Sequence, residues 1–478
     1  MKVLLINPPL KSSNPDEPVP FPLGLGYLAA AVRDAGHQVT LLDGSLGLSV
    51  SEPHEELFYI GLSIPEIVTR AIQEEPEVIG ISIPFTSRLK VSVEILQRLK
   101  KTMPDVPIVA GGMHATVDPE ALLDNGVDAV LLGEAERSFV KYLHDGCIKG
   151  DLTGVAHHWE GSKQIRIQTD HITDLDELLF PARDLVPFET YLKRSGGRWI
   201  RQGLKVASVI SSRGCPYRCT FCSAFRVAGR KYRKRSPENV LAEIDELVHR
   251  YKTDVIAFED DNLTADRQRA VDLFEGIMER FHKLQWITPN GISIKNLDRD
   301  LIQLMRRSGC RSVNLAFESG DPHILQEVMK KNLDPEDGSR VRNWCREAGI
   351  AVNGYFVLGM PGETIDSMER TRDYALSLDL DGIGIFIATP FRGTELYDLC
   401  QREGYLDAEY ARGDVLFQSD PEVLHKPLIE TPWLKKQDLV AFQTQFDTEF
   451  MDNFLAKRPM ARIKNWLRPI VQKAGWGK

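Results

Sequence analysis

Two series of short apolar runs alternate with helical patterns along the chain. Strands that alternate with amphipathic helices indicate a parallel sheet covered on both faces. The first series, residues 1–145, is predicted to be a flavodoxin-like, doubly wound parallel sheet, with a ligand crevice at the carboxyl ends of its strands. In this first series, residues 1–145, we predict strands at Val3–Ile6, Val39–Leu42, Val78–Ile83, Ile108–Ala110 and Ala129–Leu132, and helices at Leu25–Ala35, Pro65–Glu74, Leu89–Lys101, Pro119–Asn125 and Glu136–His144.

The second series occupies residues 206–400 and predicts six βα units. Such units predict a (β/α)6 partial TIM barrel, whose chemistry would lie on the loops that follow the strands. Residues 146–205 are predicted to be a linker with a small hairpin, and residues 401–478 a C-terminal helical extension. The fold class is therefore α/β. The predicted strands are Val206–Ile210, Val255–Phe258, Trp286–Thr288, Ser312–Phe317, Val352–Leu358 and Ile383–Ala388.

The composition is that of a globular protein, with 42% hydrophobic and 27% charged residues. The formal net charge of −9 argues against a general nucleic-acid binder. No apolar run reaches the ~18 residues of a membrane span, and the first residues, Met1–Pro8, lack the features of a signal peptide. We therefore expect a cytoplasmic protein.

Three of the seven cysteines, Cys215, Cys219 and Cys222, lie within eight residues, in the loop after the first strand of the second series. Thiolates this close are typical of soft-metal binding, and iron–sulfur clusters are held by cysteine sulfur. A cubane cluster has four irons, so three protein ligands leave one iron open to a small molecule. The other cysteines lie far apart and are expected to be small buried hydrophobes: Cys147, Cys310, Cys345 and Cys400.

Two alternatives to an iron–sulfur cluster remain at this point. A zinc knuckle would need a fourth ligand, but no fourth cysteine is near and no histidine lies between His171 and His249. Coincidental core cysteines are the other alternative, which Gly214 and Pro216 disfavour because these residues are typical of a loop. The spacing therefore favours a cluster.

The pattern Cys215-x3-Cys219-x2-Cys222, with Phe221 before the last cysteine, resembles the radical S-adenosylmethionine (SAM) superfamily. The resemblance implies that the three cysteines hold a [4Fe–4S] cluster whose open iron chelates SAM. Electron transfer into the sulfonium would then release a 5′-deoxyadenosyl radical. Radical chemistry of this kind has to come from a cofactor rather than from side chains.

Later strand ends resemble the SAM-binding motifs of the same family, although ordinary turns are the alternative for each one. Phe258–Asn262 departs from the family's Gly-Gly-Glu segment, so we place it in the pocket without assigning a contact. Glu318–Gly320 resembles the motif near ribose, Tyr355–Glu363 the motif near adenine, and Ala388–Thr394 the close of the sixth strand. The predicted SAM-binding residues are Phe221, Glu259, Asp260, Glu318, Ser319, Gly320 and Gly359.

One glycine pattern in the first half is a misleading match. Gly24–Ala29 fits the dinucleotide fingerprint G-x-G-x-x-A, and Asp43 follows at the distance of a ribose-binding acid. That fingerprint requires the first glycine to turn directly off the first strand. Here a proline-rich segment separates Asn7 from Gly24, which disfavours a nicotinamide or flavin dinucleotide site.

Several segments of the first half resemble the cobalamin-binding domain that precedes the barrel in one large radical SAM class. They are Asn7–Pro9, Pro22–Leu28, Gly111–Thr116 and Gly133–Glu136, while Leu175–Glu177 and Phe180–Asp184 resemble that class's inter-domain linker. Gly111 and Gly112 would let the backbone approach a large flat ligand. The predicted cobalamin-binding residues are Ser82, Pro84, Phe85, Thr86, Gly111, Gly112, His114, Gly133 and Glu134.

The D-x-H-x-x-G motif, which supplies an axial histidine in other cobalamin proteins, has no counterpart in this chain. Residues 8–23 contain no histidine, so we expect no cobalt ligand from that loop. His114 is expected to hydrogen-bond near the corrin, and a role as a cobalt ligand is the alternative.

The combined resemblance implies a cobalamin-dependent radical SAM enzyme that methylates an unactivated carbon. One SAM would methylate cobalamin, a second would yield the 5′-deoxyadenosyl radical, and the substrate radical would collect the methyl group from methylcobalamin. Two alternatives stay open: an oxidative cyclase or rearrangement enzyme without methyl transfer, and a cobalamin-binding sensor with a structural cluster. The substrate is expected to be a small or lipid-like molecule, and the catalytic acids and bases are unknown.

Two basic segments bear on the partners of the protein. One is expected to be solvated surface, with an anionic substrate or an electron-donating reductase as alternative ligands: Arg226, Arg230, Lys231, Arg233, Lys234 and Arg235. The other, residues 453–478, has seven basic residues, two tryptophans and no acid. We expect it to form a helix that caps the barrel, and peripheral membrane contact is the alternative.

Overall fold

The computed structural model describes residues 1–12, 17–47, 49–51, 58–147, 153–167, 171–195, 202–411 and 426–458. Two parallel-sheet domains with helices packed against them follow one another along the chain. The predicted α/β class is confirmed.

A seven-stranded sheet forms the amino-terminal domain. The strands of this half are β1 Lys2–Asn7, β2 Leu10–Ser12, β3 Gln38–Asp43, β4 Ser49–Ser51, β5 Phe58–Ile60, β6 Val78–Ser82, β7 Ile108–Gly111, β8 Ala129–Leu131, β9 Val155–Trp159 and β10 Ser162–Arg166. The sheet order is β10-β9-β8-β7-β6-β1-β3, and β2, β5 and β4 form a separate three-stranded sheet. The parallel order reverses between β1 and β6, and a ligand crevice in such sheets opens at this reversal.

Alternate residues of β1 face opposite sides of the sheet and join two separate cores. Leu4 and Ile6 pack in one core, whereas Val3 and Leu5 pack in the other. Helices cover both faces. They are α1 Leu23–Asp34, α2 Ile64–Gln73, α3 Leu89–Thr102, α4 Met113–Val117, α5 Pro119–Asp124 and α6 Ala135–His144.

All five predicted parallel strands are present. The hairpin, which was expected to belong to the linker, instead joins the sheet. β9 pairs antiparallel with β8 and continues the sheet. Val155 and Ala156 are buried in this position, which explains why the ladder extends past residue 145. The strands β2, β4 and β5 were not predicted, because each has only three residues and no clear alternation.

Six parallel strands form the second sheet, in the sequential order β11-β14-β15-β16-β17-β18. They are β11 Val206–Val209, β14 Val255–Phe258, β15 Gln285–Ile292, β16 Cys310–Glu318, β17 Ala351–Leu358 and β18 Gly382–Ile387. A two-stranded ribbon, β12 Ser212–Arg213 and β13 Arg233–Lys234, brackets the cysteine loop. Each of the six predicted strands is confirmed.

Several helices of this half begin at side-chain caps that end the preceding loops. Ser236, Asp266, Asp298, Thr364 and Thr394 each accept a hydrogen bond from a backbone N–H of the first helical turn. The helices are α7 Phe188–Leu192, α8 Phe225–Ala228, α9 Pro237–His249, α10 Arg267–Arg280, α11 Arg299–Arg307, α12 Pro335–Ala348, α13 Ile365–Ser377, α14 Glu395–Glu403, α15 Ala408–Ala411 and α16 Lys436–Lys457.

Helix α16 covers the open edge of the second sheet. Phe442, Phe446 and Phe450 are buried, and Gln443 Nε2 donates to the Ile385 carbonyl oxygen of edge strand β18 (2.8 Å). At its end, Arg458 pairs with Asp379 and Asp381, so the first part of the predicted basic tail packs on the second sheet domain. Residues 459–478, which include Trp466 and Trp476, lie outside the described residues. None of the helices described here has the length and apolar character needed to cross a bilayer.

Candidate active site

A cavity of about 290 Å³ lies between the two sheet domains. The amino-terminal domain contributes apolar strand residues, including Leu5, Val109 and Leu131. The second domain contributes residues on both sides of the cysteine loop. These are Ile210, Ser212, Arg213, Ala224, Val227 and Ala228, together with Glu259 and Asp261 from the loop after β14. The strand ends of the first sheet and the segments that flank the three cysteines therefore open onto one space, although the cysteines themselves are not among its lining residues.

The start of the cysteine loop is held by Asp260. Its carboxylate accepts hydrogen bonds from the Ser211 backbone N–H (3.1 Å), the Ser211 hydroxyl (2.7 Å) and the Ser212 hydroxyl (2.5 Å). Gly214 has a φ of 83°, and a Cβ there would lie 2.4 Å from the Lys231 carbonyl oxygen. Only glycine permits this close approach, which presses the loop against the segment that follows it.

The three thiols of the loop are partly buried. The Cys222 backbone N–H donates to the Cys219 carbonyl oxygen (3.2 Å) and turns the loop back on itself. Burial raises the pKa of the Cys219 thiol to about 11, a rise that the nearby Lys331 ammonium partly offsets. Within the described ranges, no three His, Cys, Asp or Glu side chains surround a single-ion position. Three cysteine thiols suit an iron–sulfur cluster, in which each cysteine sulfur binds a different iron. They suit a structural zinc ion less well, because zinc takes four ligands.

The consecutive acids after β14 have different surroundings. Glu259 lines the cavity, its Oε1 accepts from the Ser208 hydroxyl (2.9 Å), and burial raises its pKa to about 7. Asp261 also lines the cavity, and burial raises its pKa as well. Asp260, predicted for SAM binding, is not among the lining residues because its carboxylate holds the cysteine loop.

The other residues predicted to bind SAM lie away from this cavity. Glu318 has a left-handed backbone (φ 66°) at a register shift, and its Oε1 accepts from Lys331 Nζ (2.8 Å). Ser319 and Gly320 pack on α13 through the Thr371 hydroxyl, at 3.0 Å each. Phe221 packs in a small apolar cluster beside Met360, Leu396 and Ile429. The cysteine loop and the β16 end therefore share Lys331, which both influences Cys219 and binds Glu318.

Gly359 forms the turn after β17, with a φ of 85°. The backbone N–H groups of Gly359 and Met360 donate to Glu363 Oε2, at 2.6 and 2.9 Å. Glu363 is fully buried, and burial raises its pKa to about 8. Its Oε1 has no hydrogen-bond partner in the described part of the chain. Glu363 thus shapes a turn for which sequence reasoning had singled out only the glycine.

Five of the nine residues predicted to bind cobalamin line the cavity: Ser82, Gly111, Gly112, Gly133 and Glu134. Gly111 leaves open space, since a Cβ there would meet nothing nearer than Leu131 Cβ at 3.8 Å. Gly112 is required for another reason, because its φ is 110° and a Cβ would lie 2.7 Å from the Ile83 carbonyl oxygen. The apolar walls and the open glycine fit the flat, largely apolar face of a corrin.

The remaining four, Pro84, Phe85, Thr86 and His114, are not among the lining residues. Phe85 is 62% exposed, whereas His114 is buried. His114 Nδ1 lies 3.1 Å from the Thr86 hydroxyl, and its Nε2 has no hydrogen-bond partner among the described residues. Burial lowers the pKa of His114 to about 4, so the ring is neutral at neutral pH.

A buried ion-pair network joins the two domains beside the cavity. Arg233 donates to both oxygens of Glu134, at 2.7 and 2.8 Å, and Arg213 binds Glu136 at 2.6 Å. The Arg213 guanidinium also lies 3.3 Å from Glu134 and stacks over the Tyr27 ring, 5.2 Å from its centroid. The carboxylate of Glu134 is therefore used between domains, although part of the residue lines the cavity.

Sequence reasoning missed several lining residues of the first domain. Gly24, Leu25, Tyr27 and Leu28 line the cavity. They belong to the Pro22–Leu28 segment, which resembles the cobalamin-binding domain, but they are not among the predicted cobalamin-binding residues. That segment marks a close-packed start of α1 at the strand edge, so it did carry information on the site. Arg213, which precedes the first cysteine of the loop by two residues, also lines the cavity and is not among the predicted site residues.

The basic run after the cysteines is only partly solvated, contrary to expectation. Arg233 and Arg235 are buried, and Arg235 pairs with the buried Glu243, which also binds Arg183 of the linker at 2.5 Å. Lys234 pairs with Asp266 on the surface. The run therefore divides into cations that hold the domains together and cations that face solvent.

Two family models match the chain. The B12 binding domain matches residues 17–143, and the Radical SAM superfamily matches residues 209–375. The chain is 32% identical over 447 residues to the cytidylyl-2-hydroxyethylphosphonate methyltransferase of Streptomyces wedmorensis, with 85% of this chain and 83% of that protein covered. It is 24% identical to the anaerobic magnesium-protoporphyrin IX monomethyl ester cyclase of Rubrivivax gelatinosus, with 83% and 69% covered.

Among solved structures, the radical SAM methyltransferase TsrM from Kitasatospora setae, with tryptophan substrate and a SAM analogue bound, superposes with a TM-score of 0.67. The identity is 21%, and the match covers 84% of this chain and 76% of that one, so it shows a shared fold. The two domain matches and the phosphonate methyltransferase relationship agree with each other. The chain belongs to the family of cobalamin-dependent radical SAM methyltransferases.

Proposed function

We propose that this enzyme methylates an unactivated carbon of a small molecule inside the inter-domain cavity. The observation that carries the proposal is that one cavity is lined both by the strand ends of the B12-binding domain and by residues that flank the cysteine loop. Two cofactors held on opposite walls of one space can reach one substrate. Confinement of this kind supports reaction by proximity and limits side reactions of radicals.

In this proposal, Cys215, Cys219 and Cys222 hold a [4Fe–4S] cluster, and cobalamin lies against Gly111 and Gly133. When bound, the cluster and SAM supply radical chemistry and cobalamin supplies methyl-transfer chemistry, which no side chain provides. The chain itself orients the loop through Asp260 and fixes the distance between the two walls through Glu134 and its arginines.

Glu259 is the cavity residue best suited to hold or release a proton. Glu259 is half-buried, its carboxyl group accepts a hydrogen bond from Ser208, and desolvation raises its pKa to about 7. A carboxyl group that titrates near neutral pH can donate to or accept from a substrate group. We assign Glu259 to the substrate side of the cavity rather than to a fixed contact with SAM.

The topology of the two sheets also supports a ligand site between the two domains. The parallel strands of the first sheet run in the order second, first, third, fourth, fifth, as in flavodoxin-like sheets, and the second sheet is proposed to be a (β/α)6 partial barrel with its six strands in sequential order. In both arrangements ligands lie at the carboxyl ends of strands. The proposed domain boundaries are residues 1–145, 146–205, 206–400 and 401–478, with the β9–β10 hairpin of the second segment paired to the sheet of the first.

The test is anaerobic purification with measured iron, sulfide and cobalt content, followed by identification of SAM-derived products. S-adenosylhomocysteine together with 5′-deoxyadenosine supports methylation. Deoxyadenosine alone would favour a cyclase or rearrangement, an outcome of interest because the Rubrivivax relative is a cyclase. A Cys219→Ala variant should lose both the visible absorbance of the cluster and SAM cleavage. Survival of SAM cleavage in that variant would overturn the cluster assignment.

A further inference from the structure

A second, smaller pocket lies between the two domains, and we call it the side pocket. Its volume is about 140 Å³, and the first domain, the linker and α8 all contribute to its walls. Leu132, Ile167 and Phe225 make part of these walls apolar, whereas His171 and Arg226 are its basic residues. The side pocket is therefore large enough for one substituent of a substrate but too small for a second cofactor.

The side pocket meets the main cavity at Gly133, which lines both spaces. This residue has no side chain, and its φ is 74°. Its backbone N–H donates to the Thr116 hydroxyl (3.0 Å), which in turn donates to the Gly112 carbonyl oxygen (2.9 Å). These bonds fix the backbone at the junction and use the only O–H proton of Thr116. Because only a glycine backbone stands between the two spaces, one ligand that passes Gly133 can reach both of them.

Arg226 supplies the positive charge of the side pocket. It is exposed, and no carboxylate of the described residues pairs with it, whereas Arg233 and Arg235 of the same basic run are both paired with buried glutamates. The Arg226 side chain lies against the turn at Gly393, where a Cβ would come within 3.0 Å of its Nε. The fold therefore positions this cation at the pocket without neutralising it.

His171 enters the side pocket from the linker and packs on the end of α8. Gly229 follows α8 with a φ of 70°, and a Cβ there would lie 2.7 Å from His171 Nε2. A glycine thus leaves the room that the imidazole ring occupies. His171 Nδ1 is buried and has no hydrogen-bond partner among the residues that the structure describes. An imidazole N–H group can donate to an oxyanion, so the ring is a second donor beside Arg226.

Glu134 is the carboxylate beside His171, but it does not cancel the charge of Arg226. Its Oε2 lies 3.7 Å from His171 Nδ1. Arg233 donates to both oxygens of Glu134, and the Arg213 guanidinium lies 3.3 Å away. The charge of Glu134 is thus already balanced within the inter-domain network, which leaves the charge of Arg226 for a ligand.

We propose that the side pocket binds a phosphoryl group of the substrate, held by Arg226 and His171, while the carbon to be methylated lies in the main cavity. This inference rests on the proposed function, because it needs a substrate in that cavity. A cation would be repelled by Arg226, and an apolar group would take the guanidinium out of water without a partner. Donors from two separate elements suit a tetrahedral oxyanion better than a planar carboxylate, which one guanidinium can bind alone. The substrate class is therefore a small phosphate or phosphonate compound whose anionic end is anchored away from the reacting carbon.

The test measures the binding of inorganic phosphate to the holoenzyme, through the line width of the phosphorus NMR resonance at fixed ionic strength. This readout needs neither SAM nor turnover. The variants are Arg226→Gln, which removes the charge, and Arg226→Lys, which keeps the charge but loses the planar fork. The matched control is Lys231→Gln, an exposed cation of the same basic run that lines neither space. Cobalamin content is expected to be equal in all four proteins, since none of the changes touches a residue that lines the main cavity.

We expect the wild type and Lys231→Gln to bind phosphate saturably and equally. Arg226→Gln should bind phosphate about tenfold or more weakly, because a charge-assisted hydrogen bond is lost, and Arg226→Lys should lie between the two. Acetate should displace phosphate only at a higher concentration than phosphate itself requires. Exchange of diamagnetic Co(III) cobalamin for paramagnetic Co(II) cobalamin should broaden the resonance of bound phosphate further, because the side pocket adjoins the main cavity.

Equal phosphate affinity in Arg226→Gln and the wild type would overturn the proposal, as would an equal loss in Lys231→Gln. Acetate that binds more tightly than phosphate would overturn the assignment to a phosphoryl group. Phosphate that binds the cobalamin-free protein but not the cobalamin-loaded protein would place the phosphodiester of cobalamin in the side pocket and also overturn it. A preparation that cleaves no SAM, by contrast, contradicts the proposed function itself and is recognised by product analysis before any phosphate is added.

Discussion

Removal of Glu134 should strongly destabilise the contact between the two domains. Glu134 is nearly fully buried and accepts two hydrogen bonds from Arg233, which is equally buried. Arg213 lies 3.3 Å from the same carboxylate, and the Ile172 backbone N–H donates to it at 3.1 Å. A Glu134→Ala substitution therefore leaves two buried guanidinium groups short of a partner. Breaking a buried pair from one side costs about 3–5 kcal/mol.

The protein also offers a matched exposed pair. Glu177 binds Arg137 at 2.9 Å, but the two side chains are 60% and 58% exposed. A Glu177→Ala substitution should cost less than about 1 kcal/mol, because solvent screens exposed pairs. The assay is urea unfolding of the apoprotein, followed by tryptophan fluorescence and circular dichroism. For Glu134→Ala we also expect the two probes to give separate transitions, because the domains lose a buried polar contact.

The Glu134→Gln variant separates charge from packing. It keeps one oxygen for Arg233 and should lose less stability than Glu134→Ala. If Glu134→Ala lies within about 1 kcal/mol of Glu177→Ala, the buried network does not stabilise the interface and the reasoning is refuted. A double-mutant cycle with Arg233→Ala should show a coupling of about 0.5–3 kcal/mol.

Four further predictions follow from individual contacts. Gly214→Ala should lower the iron content of reconstituted protein without unfolding it, since a Cβ would lie 2.4 Å from the Lys231 carbonyl oxygen; full iron loading would contradict this. Burial raises the pKa of Glu363 to about 8, so the stabilisation that its protonated carboxyl group provides is complete below about pH 4.5 and is lost as pH rises through 8. Glu363→Gln should remove this dependence of the melting temperature on pH. A variant with the wild-type pH profile would contradict the assignment to Glu363. Glu259→Gln should flatten the pH dependence of product formation near pH 7 while cluster absorbance stays normal, and a retained limb would exclude Glu259 as its source. On the membrane alternative for the basic tail, deletion of residues 457–478 abolishes co-sedimentation with anionic liposomes, and unchanged sedimentation ends that alternative.

Patterns in the sequence were sufficient to predict the parallel strands of both sheets and to single out the cysteine loop. Buried strands such as Val78–Ser82 carry continuous apolar runs, and this signal acts between neighbours in the chain. The three cysteines could also be singled out from the sequence, because their close spacing is a local property of the chain. The role of a residue whose partners are distant in sequence could not be predicted. Asp260 is the clearest case, because its carboxylate accepts hydrogen bonds from Ser211 and Ser212, which are 49 and 48 residues away in sequence.

The amino-acid sequence alone determined the α/β class, the succession of two sheet domains and the close spacing of three cysteines, because periodicity and spacing are properties of short segments. Only the tertiary structure decided that Tyr27 and Arg213 meet across the domain boundary, and that Arg233 is buried while Arg226 faces solvent. Neighbouring cations look alike in a sequence. Burial and pairing separate them, and both depend on which distant surface the fold brings against each side chain.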